Sequence, residues 1–368
     1  MKKSISKLMA LALIIALISS FAAFSASAIT YMPIGGSTTV TKNLVVDADA
    51  NIPDITFTYT ITRVPGTAAT ASTIEIIESP VAATIGTATF SNLDTSSTHS
   101  GVPSDPSGTT TTGKKYAQKS VDITFPVVSF TKPGVYRYVI NEANGGVPGV
   151  TYDTTPRYLD VFVVANNSNV LSVNSYVVRN TATSINIDGT YTTDAGAKGD
   201  GFTNSISQYD FSFNKAISGN QGDKNKRFTF TLSISNAIPG TYPLTAVDVT
   251  GDPTSITVAS DGTYSGTFDL TNNSSVTVLG LNSGAVCTVS EDAQDYTATH
   301  IVDSGSSVTG ASSGTLNISN SNRTVAFTNK RDGVIPTGVL LTVAPFAIGL
   351  LLFGAVGVTM LARKKEEE

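Results

Sequence analysis

The sequence has little with which to build an ordinary active site. Among its 368 residues there is one cysteine, Cys287, no tryptophan, and only two histidines, His99 and His300. A lone cysteine excludes an intramolecular disulfide, and Cys287, in line with Val289 on a strand pattern, reads as a small core residue. Neither histidine has a recognisable partner, and no serine sits in a nucleophile-elbow motif, so an enzyme acting on outside substrates is not indicated. Charged residues make up 14% of the chain and the net charge is −5. With no basic block outside the termini, nucleic acid is excluded as a natural partner. The acidic run Asp47-Ala48-Asp49-Ala50-Asn51 opens like a calcium loop, but Ile52 and Thr58 stand where that loop needs glycine and glutamate, so no metal is expected. No amphipathic helix exceeds a turn or two.

What is present favours strands. Thr, Ser, Gly and Val are plentiful, and ITFTYTITRV, GVYRYVI, YLDVFVV, RFTFTLSIS and SVTVLGL carry β-branched and aromatic residues between Gly, Asn, Asp and Pro clusters. This pattern predicts an all-β chain of β-sandwich domains. FTNSIS ends one strand and DFSFNKAIS begins another within a few residues, which places a short, stiff boundary near Ser205 to Tyr209. Domains over 29–207 and 208–332 follow. Ser91 to Lys119, rich in Ser, Thr, Gly and Pro, reads as a long surface loop in the first.

Both termini carry export features. Met1 to Ala28 has Lys2 and Lys3, an apolar run, and Ala26-Ser27-Ala28, the form of a secretory signal peptide. At the other end, over 333–368, Val334-Ile335-Pro336-Thr337-Gly338 precedes an uncharged span from Gly338 to Ala362 and then Arg363, Lys364 and Lys365. The span is long enough to cross a bilayer. Pro-Thr-Gly, an apolar span and positive charges together resemble the cell-wall sorting signal of Gram-positive surface proteins. That resemblance implies a sortase cysteine attacking the Thr337 carbonyl and passing the acyl group to an amine, with the membrane a partner only before sorting. The common pattern has its proline one place earlier, so the sortase class is left open.

Within the chain a trio of polar residues occurs twice on apolar strand faces. Lys42 lines up with Val40, Leu44 and Val46, and Lys215 with Phe211, Phe213 and Ile217. Glu142 follows Tyr138 and Ile140, and Glu291 follows Cys287 and Val289; Asn204 aligns with Phe202 and Ile206, and Asn329 with Val325 and Phe327. Burial drives a lysine towards the neutral amine and a glutamate towards the protonated acid. Such a pair beside a carboxamide can form a Lys–Asn isopeptide bond, with Glu142 or Glu291 polarising the amide and moving protons. Taken singly, each residue is more readily read as a polar strand end; it is the six in one repeated order that point to the chemistry.

The motifs VTKNL, GVYRYVINEANG with TYDTTPRYLDVFVV, FTNS, FNKAISGNQGDKNKRFTFTL, CTVSED and FTNKRDGVIPTG resemble those of Gram-positive shaft pilins with the streptococcal-type pilin isopeptide linkage domain. The resemblance covers essentially the whole mature chain. It implies two tandem Ig-like domains of the Cna protein B type, with Lys42 bonded to Asn204 through Glu142, and Lys215 to Asn329 through Glu291. It further implies a sortase-polymerised, cell-wall-attached subunit with no cofactor, whose partners are identical subunits head-to-tail, a sortase and peptidoglycan. In well-known members the intersubunit lysine follows the strand reading LDVFVV here, but Ala165, Asn166 and Asn167 stand there instead. Lys198 in AGAKGDG is one candidate acceptor; Lys114, Lys115 and Lys119 are others. The alternative is a singly anchored adhesin or minor pilin that binds a host ligand through the Ser91–Lys119 loop.

Overall fold

The computed structural model describes residues 30–98, 103, 112–192, 199 and 201–333. Every regular element among them is a strand. The signal segment, Val334 to Gly338 with the apolar span, His99 and Lys198 lie outside the described residues.

The first half contains β1 (Ile34–Asp47), β2 (Ile55–Phe57), β3 (Tyr59–Arg63), β4 (Ile76–Ile77), β5 (Thr84–Ile85), β6 (Ala88–Phe90) and β7 (Ser96–Thr98). It continues with β8 (Lys114–Phe130), β9 (Gly134–Glu142), β10 (Val150–Thr151), β11 (Arg157–Ala165), β12 (Leu171–Arg179) and β13 (Phe202–Ile206). One sheet runs β10-β13-β1-β8-β5 and the other β12-β11-β9-β3. Their facing side chains, among them Leu44, Phe57, Phe125, Tyr138, Leu159 and Phe202, form one core. β1 is antiparallel to β8 but parallel to β13, so the first and last strands of this half lie side by side.

The second half contains β14 (Gln208–Ser218), β15 (Phe228–Ser235), β16 (Gly240–Val249), β17 (Ser255–Val258), β18 (Tyr264–Asn282) and β19 (Val286–Glu291). After these come β20 (Thr297–Val302), β21 (Val308–Thr309), β22 (Leu316–Asn317) and β23 (Arg323–Lys330). β18 belongs to both layers: its early part pairs with β15, and its late part pairs with β14. Again the first and last strands, β14 and β23, are parallel neighbours. Phe213, Phe230, Phe268, Leu270, Val278 and Phe327 fill a separate core. The chain is thus all-β, with two β-sheet-rich domains.

The segment Ser91–Lys119 differs from its expected form. Lys114 to Lys119 is the start of β8 and pairs with β1, and Ser96–Thr98 adds a further pairing. Its polar composition arises because only one face of this strand is covered: Ala117 is buried while Gln118 faces outward. β11 departs the other way. Leu159, Val161 and Val163 enter the main core, while Phe162 packs with Ile76, Val135 and Ile185 in a small outer cluster. That cover also encloses Arg137, which holds Asp160 in a two-point ion pair at 2.6 and 2.8 Å.

The junction between the halves is closely fitted. Asp47 N donates to Gln208 Oε1 at 2.9 Å, Asp54 N to Pro239 O at 2.8 Å, and Asn282 Nδ2 to Pro148 O at 3.2 Å. Gly280, at φ 72°, lies where a Cβ would come within 2.4 Å of the Ala50 methyl. A side chain there would both strain the backbone and push the halves apart. These contacts bridge the short boundary near Ser205 to Tyr209.

Candidate cross-linking sites

The strand pairing builds two matching constellations. In the first half Lys42 stands opposite Phe202, and Asn204 stands opposite Leu44. In the second, Lys215 is opposite Phe327, and Asn329 is opposite Ile217. Each asparagine therefore lies two residues further along the parallel neighbour, on the same face as its lysine. In the first half the glutamate reaches in from the other sheet, Glu142 pairing with Tyr59 on β3. Glu291 pairs with Phe230 on β15.

Lys42 Nζ lies 2.5 Å from Glu142 Oε2, and Asn204 Nδ2 donates to Glu142 Oε1. In the second site Lys215 Nζ donates to Glu291 Oε1, which also accepts from Asn329 Nδ2 at 2.6 Å. Each glutamate bridges its lysine and its asparagine. Both lysines and both asparagines are at most 1% exposed. The Lys42 amine lies 4.3 Å from the centre of the Phe57 ring, and the Lys215 amine 4.4 Å from that of Phe228.

This surrounding sets the protonation chemistry. Burial, opposed by attraction to the glutamate, lowers Lys42 to about 8, and Lys215 likewise to about 8. Burial also raises Glu142 and Glu291 above the usual carboxylate range, against the pull of their lysines. Both displacements favour moving one proton from lysine to glutamate, which changes no net charge and removes two buried ions. That transfer would leave a free amine and a neutral acid in contact with a carboxamide.

The sites differ in one respect. Asn204 Oδ1 accepts the Asp153 N–H at 2.8 Å, which fixes the orientation of the amide and polarises its carbonyl. The Asp153 turn is in turn held by Arg157, whose guanidinium bonds the Asp153 carboxylate at 2.5 Å and Gly201 O at 2.8 Å. In the second site Asn329 Oδ1 and Glu291 Oε2 are buried with no hydrogen-bond partner among the described residues. Asp153 and Arg157 were missed as site residues; their segment TYDTTPR was visible only as a family motif.

Lys114 and Lys119 lie on β8 in ion pairs with Asp47 and Asp94; Lys119 stands opposite Lys42 across the β1–β8 pairing but binds Asp94 rather than Glu142. Cys287 is fully buried, and burial pushes its thiol up to about 12, as befits a core residue. His300 is also buried, its Nδ1 3.1 Å from Gly310 O and its ring against Phe327, a packing role the sequence did not suggest.

Comparison with known proteins decides the relationship. Residues 38–207 match the family described as the Spy0128-like isopeptide containing domain, and residues 209–331 match a domain of unknown function, DUF7601. A pilin of Streptococcus pyogenes serotype M1 is 29% identical over 366 residues, covering 95% of this chain and 96% of the relative. The chain is closely related to streptococcal major pilin subunits. The solved major pilin of Streptococcus pyogenes aligns over 81% of this chain and 99% of its own, at 25% identity and a TM-score of 0.51. A variant of that major pilin with one glutamate replaced by alanine aligns at 26% identity and a TM-score of 0.50, over 81% of this chain and 100% of its own. The two domains of this pilin relative thus resemble pilin Ig-like folds.

Proposed function

We propose that this chain is a structural subunit of a covalently polymerised cell-surface pilus, and that each domain closes its own Lys–Asn isopeptide bond. The observation that carries this reading is the repetition of one constellation, lysine, bridging glutamate and asparagine, at the same two-residue offset between first and last strands. Lys42 Nζ attacks Asn204 Cγ; the new C–N bond forms, the Cγ–Nδ2 bond breaks, and ammonia leaves. Glu142 takes the proton from the amine and delivers it to the departing nitrogen. Lys215, Asn329 and Glu291 act in the same way. Each reaction happens once per molecule, so the role is structural and needs no cofactor.

On this reading the domains, 29–207 and 208–332, are Ig-like sandwiches of the Cna protein B type. The leader over 1–28 directs export, and a sortase joins Thr337 to an amine of the next subunit or of peptidoglycan. The protein then resides outside the cell, attached to the wall. Denaturing gels of cell-wall extracts test the polymer: the expected result is a ladder of high-mass species that vanishes in Thr337→Ala. A single band at monomer mass from the parent chain would favour the singly anchored adhesin instead.

A further inference from the structure

A head-to-tail polymer needs an accepting amine at the end of the molecule opposite the end from which the C-terminus leaves. Strand direction fixes both ends. β14 starts at Gln208, which touches Asp47 at the junction, and β23 runs parallel to it. Lys330 and the described residues after it, up to Gly333, therefore lie at the end of the second domain remote from the junction. In the first domain β1 runs from Ile34 to Asp47, so Ile34 marks the free pole. β8 is antiparallel to β1, with Phe130 opposite Ile34. The turn that follows, from β8 into β9, lies at that pole and carries Lys132.

The other lysines among the described residues lie elsewhere or cannot act. Lys42 and Lys215 are in the cores. Lys114 and Lys115 stand opposite Asp47 and Val46 at the junction end, and Lys119 stands in the junction-side half of β8 opposite Lys42, tied to Asp94. Lys224, Lys226 and Lys330 belong to the far end of the second domain, where Lys226 and Arg331 share Asp295. Gly199, next to Lys198, bonds Val178 O near the junction-facing end of β12, away from the free pole.

Lys132 is presented with unusual firmness for an exposed residue. The Tyr136 ring is fully buried, and its hydroxyl accepts the N–H of Thr131 and of Lys132 and donates to Lys132 O, each at 2.9 Å. Pro133 then fixes the next φ. One phenol thus pins the turn from inside while the side chain projects outward, 47% exposed. Its Nζ lies 3.1 Å from each carboxylate oxygen of Glu75. Met32, Val127, Val128 and Val170, four exposed apolar side chains, belong to segments that meet at the same pole. They offer a second copy of this chain a seat.

We propose that Lys132 is the amine that accepts the Thr337 acyl group of a neighbouring subunit, with Glu75 as its proton acceptor. The inference rests on the polymerisation reading above. The Lys132 ammonium gives one proton to the Glu75 carboxylate, and the free amine attacks the thioester that joins Thr337 to the transpeptidase cysteine. The C–N bond forms, the C–S bond breaks, and the sulfur leaves with the electron pair, taking the second nitrogen proton as it becomes a thiol. A rigid turn suits this step, because the amine must meet an acyl group buried in a bulky enzyme.

The test is the full chain expressed in cells with its transpeptidase, with cell-wall extracts run on denaturing gels and mapped by mass spectrometry. Lys132→Arg keeps the charge and the Glu75 contact but removes the nucleophile; the expected result is monomer only, while Lys198→Arg keeps the ladder. Glu75→Gln is expected to shorten the ladder. Wild-type polymer is expected to yield a branched peptide joining Thr337 to Lys132. An undiminished ladder from Lys132→Arg, or a branch at another lysine, overturns the assignment and leaves the polymer reading standing. A wild type that makes no ladder overturns both. Retention of both ammonia losses in the Lys132→Arg monomer shows that it has folded.

Discussion

Pulled from its two ends, a chain carrying Asn329→Ala extends by up to about 400 Å more than its parent when the second domain gives way. The increment is the contour of the 114 residues from Lys215 to Asn329 (329 − 215), at roughly 3.5 Å each. Tension enters this domain at the start of β14 and leaves at the end of β23. These strands are parallel neighbours, so the pull shears them past each other. A Lys215–Asn329 bond passes the tension directly from one to the other, and the residues between them carry none of it. Single-molecule force spectroscopy reads the difference as an unfolding step present in the variant and missing in the parent. The same step in both chains would mean that no covalent link shields the domain.

The first domain gives the second large effect, in heat rather than force. Asn204→Ala removes the carboxamide while leaving the Lys42–Glu142 contact of 2.5 Å in place. A link between these positions closes a loop of 162 residues (204 − 42), worth about 5 kcal/mol through the unfolded chain. For a domain of this size, that corresponds to a melting temperature lower by about 10–20 °C. Calorimetry of the variant against the parent measures it, and added reductant is expected to change neither value. A shift of about a degree would mean that the parent had no bond to lose.

The candidate sites were legible to the extent that strand alternation exposes them. Lys42 and Lys215 fall in step with apolar neighbours, and the period of two that places a side chain on one face is written in the sequence. The order lysine, glutamate, asparagine could be read in the same way, and the fold brings those residues together as two separate trios. The partners that come from tertiary structure could not be read. Asn204 is oriented by the main-chain N–H of Asp153, a group every residue but proline possesses, and only the fold selects which one arrives there. The double role of β18 depends on where the strand turns from one layer into the other, and alternation alone does not mark that point. Lys114 to Lys119 resembles a loop in sequence because its polar face dominates the composition, although Ala117 and Val121 supply the buried face. Nothing around Lys132 in the sequence marks it, because its position at the free pole of the molecule follows only from strand direction.

Two fully buried lysines, each bridged by a glutamate to an asparagine, are the feature on which the whole account turns. Its most direct test is the intact mass of the purified ectodomain, with peptide mapping. The account predicts a chain lighter by two ammonia molecules than its sequence requires, with one restored in Glu142→Ala and the other in Glu291→Ala. An ectodomain at its full sequence mass would contradict it.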